Sequence, residues 1–134
     1  MIAGLKKQEV IHEYRKDRYD STLFVENWIE AEKNSRVIVL DDIEIEGYEK
    51  KYEGMVLSFL RNISDIDNTV QQFCERAFKE SHQHIKNFIV DLSWVSLKDG
   101  KVNLGYVGRF VNIELRAACV LKDDVWTVED MYFQ

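Results

Sequence analysis

Proline is absent from this chain, and its 134 residues include only two cysteines and six glycines. Without proline there is no PxxP ligand and no cis-prolyl turn, so Gly, Asn and Asp are left to punctuate the chain. Two thiols, Cys74 and Cys119, cannot build a disulfide framework, and no CxxC spacing offers a zinc or redox pair. No apolar run approaches the roughly 18 residues of a membrane-spanning helix. Met1 to Glu9 lacks the apolar core and the small-residue cleavage site of a secretory signal. A cytoplasmic location is therefore expected. An excess of basic charge is missing too: 18 Lys and Arg stand against 24 Asp and Glu, a formal charge of −6. Phosphate neutralisation supplies most of the affinity of a general nucleic-acid binder, so neither nucleic acid nor membrane is an expected partner.

The composition that remains is ordinary for a globular protein, with 46% hydrophobic and 31% charged residues. The length fits one domain, 1–134. The clearest element runs from Asp65 to Ser81. Ile66, Val70, Phe73, Cys74, Ala77 and Phe78 recur at helical spacing and mark one face. Ser64 or Asp65 can cap this helix, and Asp67 is placed in its first turn, near the positive end of the dipole. From Phe88 onward the period changes to two. Phe88, Val90, Leu92 and Trp94 alternate with polar residues, as do Val102, Leu104 and Tyr106, then Ile113, Leu115, Ala117, Cys119 and Leu121. Asp99-Gly100 and Lys122-Asp123-Asp124 are turn signals, and Val125 to Phe133 closes the series as a short strand. Gly105 and Gly108 are expected at a bulge or tight bend.

The first half carries less pattern. Leu5 to Arg18 and Ser21 to Glu32 are read as helices, the second with a stripe of Leu23, Phe24, Trp28 and Ala31. Arg36 to Ile45 and Gly54 to Leu60 read as two strands joined across Gly47 to Glu53. The expected fold is α+β: an antiparallel sheet, a meander in its C-terminal half, packed against one well-defined helix, with a helical N-terminal region.

Acid is concentrated in two windows. Residues 41–53 carry six carboxylates and two lysines, a net −4, and residues 122–134 carry a net −3. The first window holds Asp41, Asp42, Glu44, Glu46, Glu49 and Glu53, with Tyr48 and Tyr52 among them. Aromatic rings among charges suit a recognition surface, and clustered acid steers a basic partner on approach. The same window also suits a solvated hairpin that keeps the protein soluble.

Reactive chemistry finds little support. His82 and His84 diverge on a helix and have no second ligand pair, so no metal is expected. His12 is isolated. Ser58 lies in Leu57-Ser58-Phe59, without a nucleophile elbow. Cys74 lies on an apolar helical face, where a thiol stays protonated. Gly105-Tyr106-Val107-Gly108 is not a phosphate loop. No catalytic residue and no cofactor is assigned. One polar constellation remains: Asp91, Ser93, Lys101, Asn103, Asn112, Glu114 and Arg116 project opposite the apolar set of their strands.

Leu92-Ser93-Trp94, Leu104-Gly105-Tyr106-Val107-Gly108, Val111-Asn112-Ile113-Glu114-Leu115 and the late Trp126 together resemble the closing sheet of small bacterial α+β proteins. Some of these are encoded beside polymorphic or contact-dependent growth-inhibition toxins and act as immunity proteins. The resemblance covers residues 43–134 and transfers no family binding residues. It implies a cytoplasmic inhibitor that binds a toxin domain, usually a basic nuclease, and blocks its active site. On this reading Asp41, Asp42, Glu44, Glu46, Glu49 and Glu53 face the partner and Tyr48 and Tyr52 anchor it. Two alternatives stand beside it. One is a small ligand-binding protein or enzyme, a cone of the nuclear-transport-factor kind, with Asp91, Asn112, Glu114 or Arg116 in a pocket between sheet and helices. The other is a structural homodimer that pairs through its sheet.

Overall fold

The computed structural model describes residues 18–81, 89–109 and 112–134. Leu5 to Asp17 of the first expected helix, His12, His82, His84 and Phe88 lie outside these residues. The described chain begins with helix α1 (Ser21–Glu30), then strands β1 (Val37–Leu40) and β2 (Ile43–Glu46). A single 3-10 turn (Lys50–Tyr52) leads into helices α2 (Glu53–Arg61) and α3 (Ile63–Ser81). Strands β3 (Val90–Lys98), β4 (Lys101–Gly108), β5 (Glu114–Lys122) and β6 (Val125–Phe133) complete the chain.

α1 begins where the extended Asp20 caps it, its carboxylate accepting from the Leu23 N–H at 3.2 Å. One turn apart, Phe24 and Trp28 are both buried, while Leu23 of the expected stripe is half-exposed. The run from Gly54 to Leu60 is a helix, not the expected strand. Val56, Phe59 and Leu60 are its buried residues, an i, i+3, i+4 set that a strand would have split between two faces. The hairpin therefore does not cross Gly47 to Glu53. It turns at Asp41–Asp42, where Asp41 takes a positive φ of 58°.

The fold is α+β. Its six strands lie in sequence order, β1 to β6. The pairings β1–β2, β3–β4, β4–β5 and β5–β6 are antiparallel, so the expected C-terminal meander is present. One pairing departs from the all-antiparallel expectation: β2 runs parallel to β3, with Glu44 beside Trp94 and Glu46 beside Ser96. A parallel neighbour needs a long crossover, and α2 and α3 supply it. Gly47 starts that crossover with φ 76°, and a Cβ there would lie 2.6 Å from the Leu97 carbonyl oxygen.

Alternation sorts the strands into two faces. Ile38, Leu40, Ile43, Ile45, Leu92, Val95, Leu97, Val102, Leu104, Tyr106, Leu115 and Cys119 point inward to the helices and form one core with Trp28, Phe59, Ile63 and Val70. Extra residues interrupt the register between Leu92 and Trp94 on β3 and opposite Ala118/Cys119 on β6. Gly105 lies opposite the first of these bulges, as expected, paired with Trp94 where the register steps on from Leu92 and Tyr106. It is flat under the indole of Trp94, and a Cβ there would lie 2.0 Å from the ring.

Candidate functional site

The β1–β2 hairpin is short, and each strand alternates exposed with buried residues. Ile38, Leu40, Ile43 and Ile45 enter the core, so Val37, Val39, Glu44 and Glu46 must face outward. Register places Val37 opposite Glu46 and Val39 opposite Glu44. The outer face of the hairpin is thus two carboxylates interleaved with two valines, Val39 being 62% exposed. Asp41 and Asp42 extend the acid onto the turn. Among the described residues, none of Asp41, Asp42, Glu44 and Glu46 forms an ion pair. Glu49 is exposed beside Lys51, 4.0 Å away.

The rest of the expected acidic surface is turned inward. Tyr48 is buried edge-on against Trp28, ring centroids 5.1 Å apart, and donates its hydroxyl proton to Glu53 at 3.0 Å. The other oxygen of Glu53 accepts from the Trp28 indole N–H. Burial pushes the Tyr48 phenol upward from its ordinary range, and Glu53 adds to this. Tyr48 and Glu53 therefore tie α1 to α2, and both line a pocket of about 410 Å³ with Lys33, Arg36 and Lys50. Tyr52 packs half-buried on the core under the ammonium of Lys51.

The second expected set does not form a pocket between sheet and helices. Asn112 and Glu114 are exposed, and Arg116 stacks on Trp94 on the outer face, 4.5 Å from the ring centre. Asp91 lies at the rim of the sheet. Arg109 grips it with two N–H groups at 2.7 and 2.9 Å, and Arg18 adds a third at 3.1 Å. The bonds from Arg109 hold the Asp91 carboxyl below its usual range.

A polar constellation that sequence reasoning missed lies beneath this rim. Asp67 projects from α3 into the core, 1% exposed. Its two oxygens accept from Arg18 Nε at 2.7 Å and Nη2 at 2.9 Å, a bidentate pair. Tyr106 of β4 donates to the same carboxylate at 2.8 Å. The helix begins at Ile63, so Asp65 is its first-turn acid and Asp67 lies one turn further in, not in the expected first turn. Burial lowers the affinity of the Arg18 guanidinium for its proton, but Asp67 outweighs this and leaves it raised. Burial lifts the Tyr106 phenol well above its ordinary value.

The constellation also closes an open sheet edge. β2 pairs with β3 only from Trp94 to Ser96, which leaves the backbone of Val90 to Leu92 without a strand neighbour on that side among the described residues. Arg18 and Gln71 donate to the Val90 carbonyl, Gln71 at 2.9 Å. Leu92 N–H donates to the Tyr19 hydroxyl at 2.8 Å. Side chains thus do the work of a missing strand. With both oxygens of Asp67 engaged, the cluster acts as a pin between Arg18, α3 and β4, not as an open acid–base site.

A signal for this pin was present. The buried face of α3 holds Ile63, Ile66, Val70 and Cys74, and also Asp67, Gln71 and Glu75. The polar triplet repeats at i, i+4, i+8, one residue after the apolar one. Counting apolar residues alone finds half of this face. Among the described residues, no group of three metal-ligating side chains gathers and no helix is long and apolar enough to cross a membrane. Comparison with protein-family models, curated proteins and solved structures finds no match to the chain.

Proposed function

We propose that this chain is a protein-binding domain, an immunity protein that neutralises a basic toxin domain through the outer face of its β1–β2 hairpin. One observation carries the reading: Glu44 and Glu46 stand exposed, without ion pairs among the described residues, interleaved with Val37 and Val39 on one face. Carboxylates around a small apolar strip provide steering by charge and contact by burial on the same few residues. Asp41, Asp42 and Glu49 enlarge the field. The resemblance of the closing sheet to immunity proteins supplies the kind of partner, and a cytoplasmic inhibitor would meet its toxin there.

Co-expression with the C-terminal domain of the protein encoded immediately upstream tests the reading. Rescue of growth together with a co-purifying complex is the expected result. Toxicity without rescue or complex overturns it, as does absence of toxicity from that domain. Within a complex, Glu44→Lys with Glu46→Lys should slow association at least about tenfold and flatten its salt dependence, since exposed charges act mainly on the on-rate. Unchanged kinetics would move the interface elsewhere.

A further inference from the structure

A second surface lies at the opposite edge of the sheet. β6 is the last strand, so half of its backbone groups face away from β5. Gln134 N–H donates to the Glu114 carbonyl, so the even-numbered residues of β5 bond to β6. The alternation of an antiparallel ladder carries this to Val120 opposite Thr127 and Lys122 opposite Val125. Between and beyond those pairs, the N–H and C=O of Trp126 and Val128 face outward.

They face a groove of about 580 Å³ between β6 and the first turns of α3. Ile66 and Trp126 contribute apolar wall, Thr69 is polar, and Asp65 and Asp124 place carboxylates on the two sides. Neither Asp65 nor Asp124 has an ion partner among the described residues. The bulge of β6 lies farther along, next to Asp130, so the ladder from Val125 to Val128 is regular. A bulge and acidic residues protect the far half of this edge, and among the described residues no strand pairs with the near half.

We propose that this groove docks an extended basic segment of a partner protein, which adds to β6 as a further strand. Main-chain hydrogen bonds would hold it, and Asp65 and Asp124 would select its lysines or arginines. A second copy of this chain suits the edge poorly. Pairing β6 with β6 would bring two strands of net negative charge together, since residues 122–134 carry −3 each.

A fluorescein-labelled hexapeptide of alternating lysine and valine is the probe, with fluorescence anisotropy as readout. Two control peptides accompany it: one with glutamate for lysine, and one with alternate backbone amides N-methylated. The lysine peptide should bind at least about tenfold tighter than either control. Asp65→Asn with Asp124→Asn should weaken it about tenfold, with an unchanged circular dichroism spectrum. Asn is chosen because Asp124 holds a left-handed φ of 61°, which Asn tolerates. Equal binding of the N-methylated peptide removes strand addition, and equal binding by the double variant removes the groove. A dimer in sedimentation velocity that the lysine peptide fails to dissociate would assign the edge to a second copy.

Discussion

Asp67 is the residue on which the upper end of the molecule depends. It stands 1% exposed and bonds a guanidinium, a phenol and, through Arg18, the rim around Asp91. Removing one partner of a buried pair costs about 3–5 kcal/mol, and Asp91, which Arg18 keeps at 3.1 Å, places the loss of Asp67 at the lower end of that range. Asp67→Ala should therefore lower the free energy of unfolding by about that amount. Tyr106→Phe removes one hydrogen bond and leaves the ion pair, so its cost should be about 1 kcal/mol. Urea unfolding followed by tryptophan fluorescence measures both. An Asp67→Ala variant within about 1 kcal/mol of the parent would show that the pin contributes little. No local pattern around Asp67 names Arg18 or Tyr106, because both partners are set by the way strand and chain return over α3.

At the scale of elements, the period of the apolar residues decided most of what could be read. α3 and the four strands of the meander emerge from periods of 3.6 and 2 over stretches long enough to be unambiguous. The run Gly54–Leu60 was too short for that. Its apolar residues are almost contiguous, and only the burial of Val56, Phe59 and Leu60 on one side reveals a helix. Gly105 was equally ambiguous. A glycine in a strand marks a bulge or a close approach, and Gly105 marks both: it faces the β3 bulge and lies under the Trp94 ring on the adjacent strand. Gly105→Ala should push that ring off Arg116 and destabilise the protein by about 1–3 kcal/mol. Trp94→Ala should relieve the clash, so the two changes together should cost clearly less than their sum. A double-mutant cycle by urea denaturation reads this coupling, and strict additivity would mean that the ring and the glycine are independent.

The whole molecule should tolerate mild acid better than alkali. Burial pushes the Cys119 thiol up to about 12 and lifts the Tyr19 and Tyr106 phenols in the same direction. In the unfolded chain such a thiol ionises near about pH 8.5 and a phenol near about 10. The folded state keeps protons that the unfolded state releases. The stability these groups contribute is thus fully present below about pH 8.5 and lost as pH rises towards the folded values. Asp91 has the opposite sign: Arg109 lowers its folded value, so its contribution is present above about pH 4 and lost as pH falls further. The urea midpoint should hold level from about pH 6 to 8 and fall by pH 10. Cys119→Ala should shrink the first part of that fall. A midpoint flat through pH 10 would contradict the burial of these groups.

The amino-acid sequence by itself determined the α+β class, the long helix, the meander with its Asp-Gly turn and the concentration of acid in two windows. Each of these is a local property, written in a repeating spacing or in a count of charges. Only the tertiary structure decided which acids remain outside. Glu44 and Glu46 stay exposed because β2 alternates against the core, while Glu53, seven residues further on, is drawn in by the Trp28 indole and the Tyr48 hydroxyl. It also decided that β2 lies parallel to β3, that Arg18 and Tyr19 cover the resulting open edge, and that β6 borders a groove. These are contacts between residues far apart in the chain. Their energy depends on burial and on partners that no local window contains.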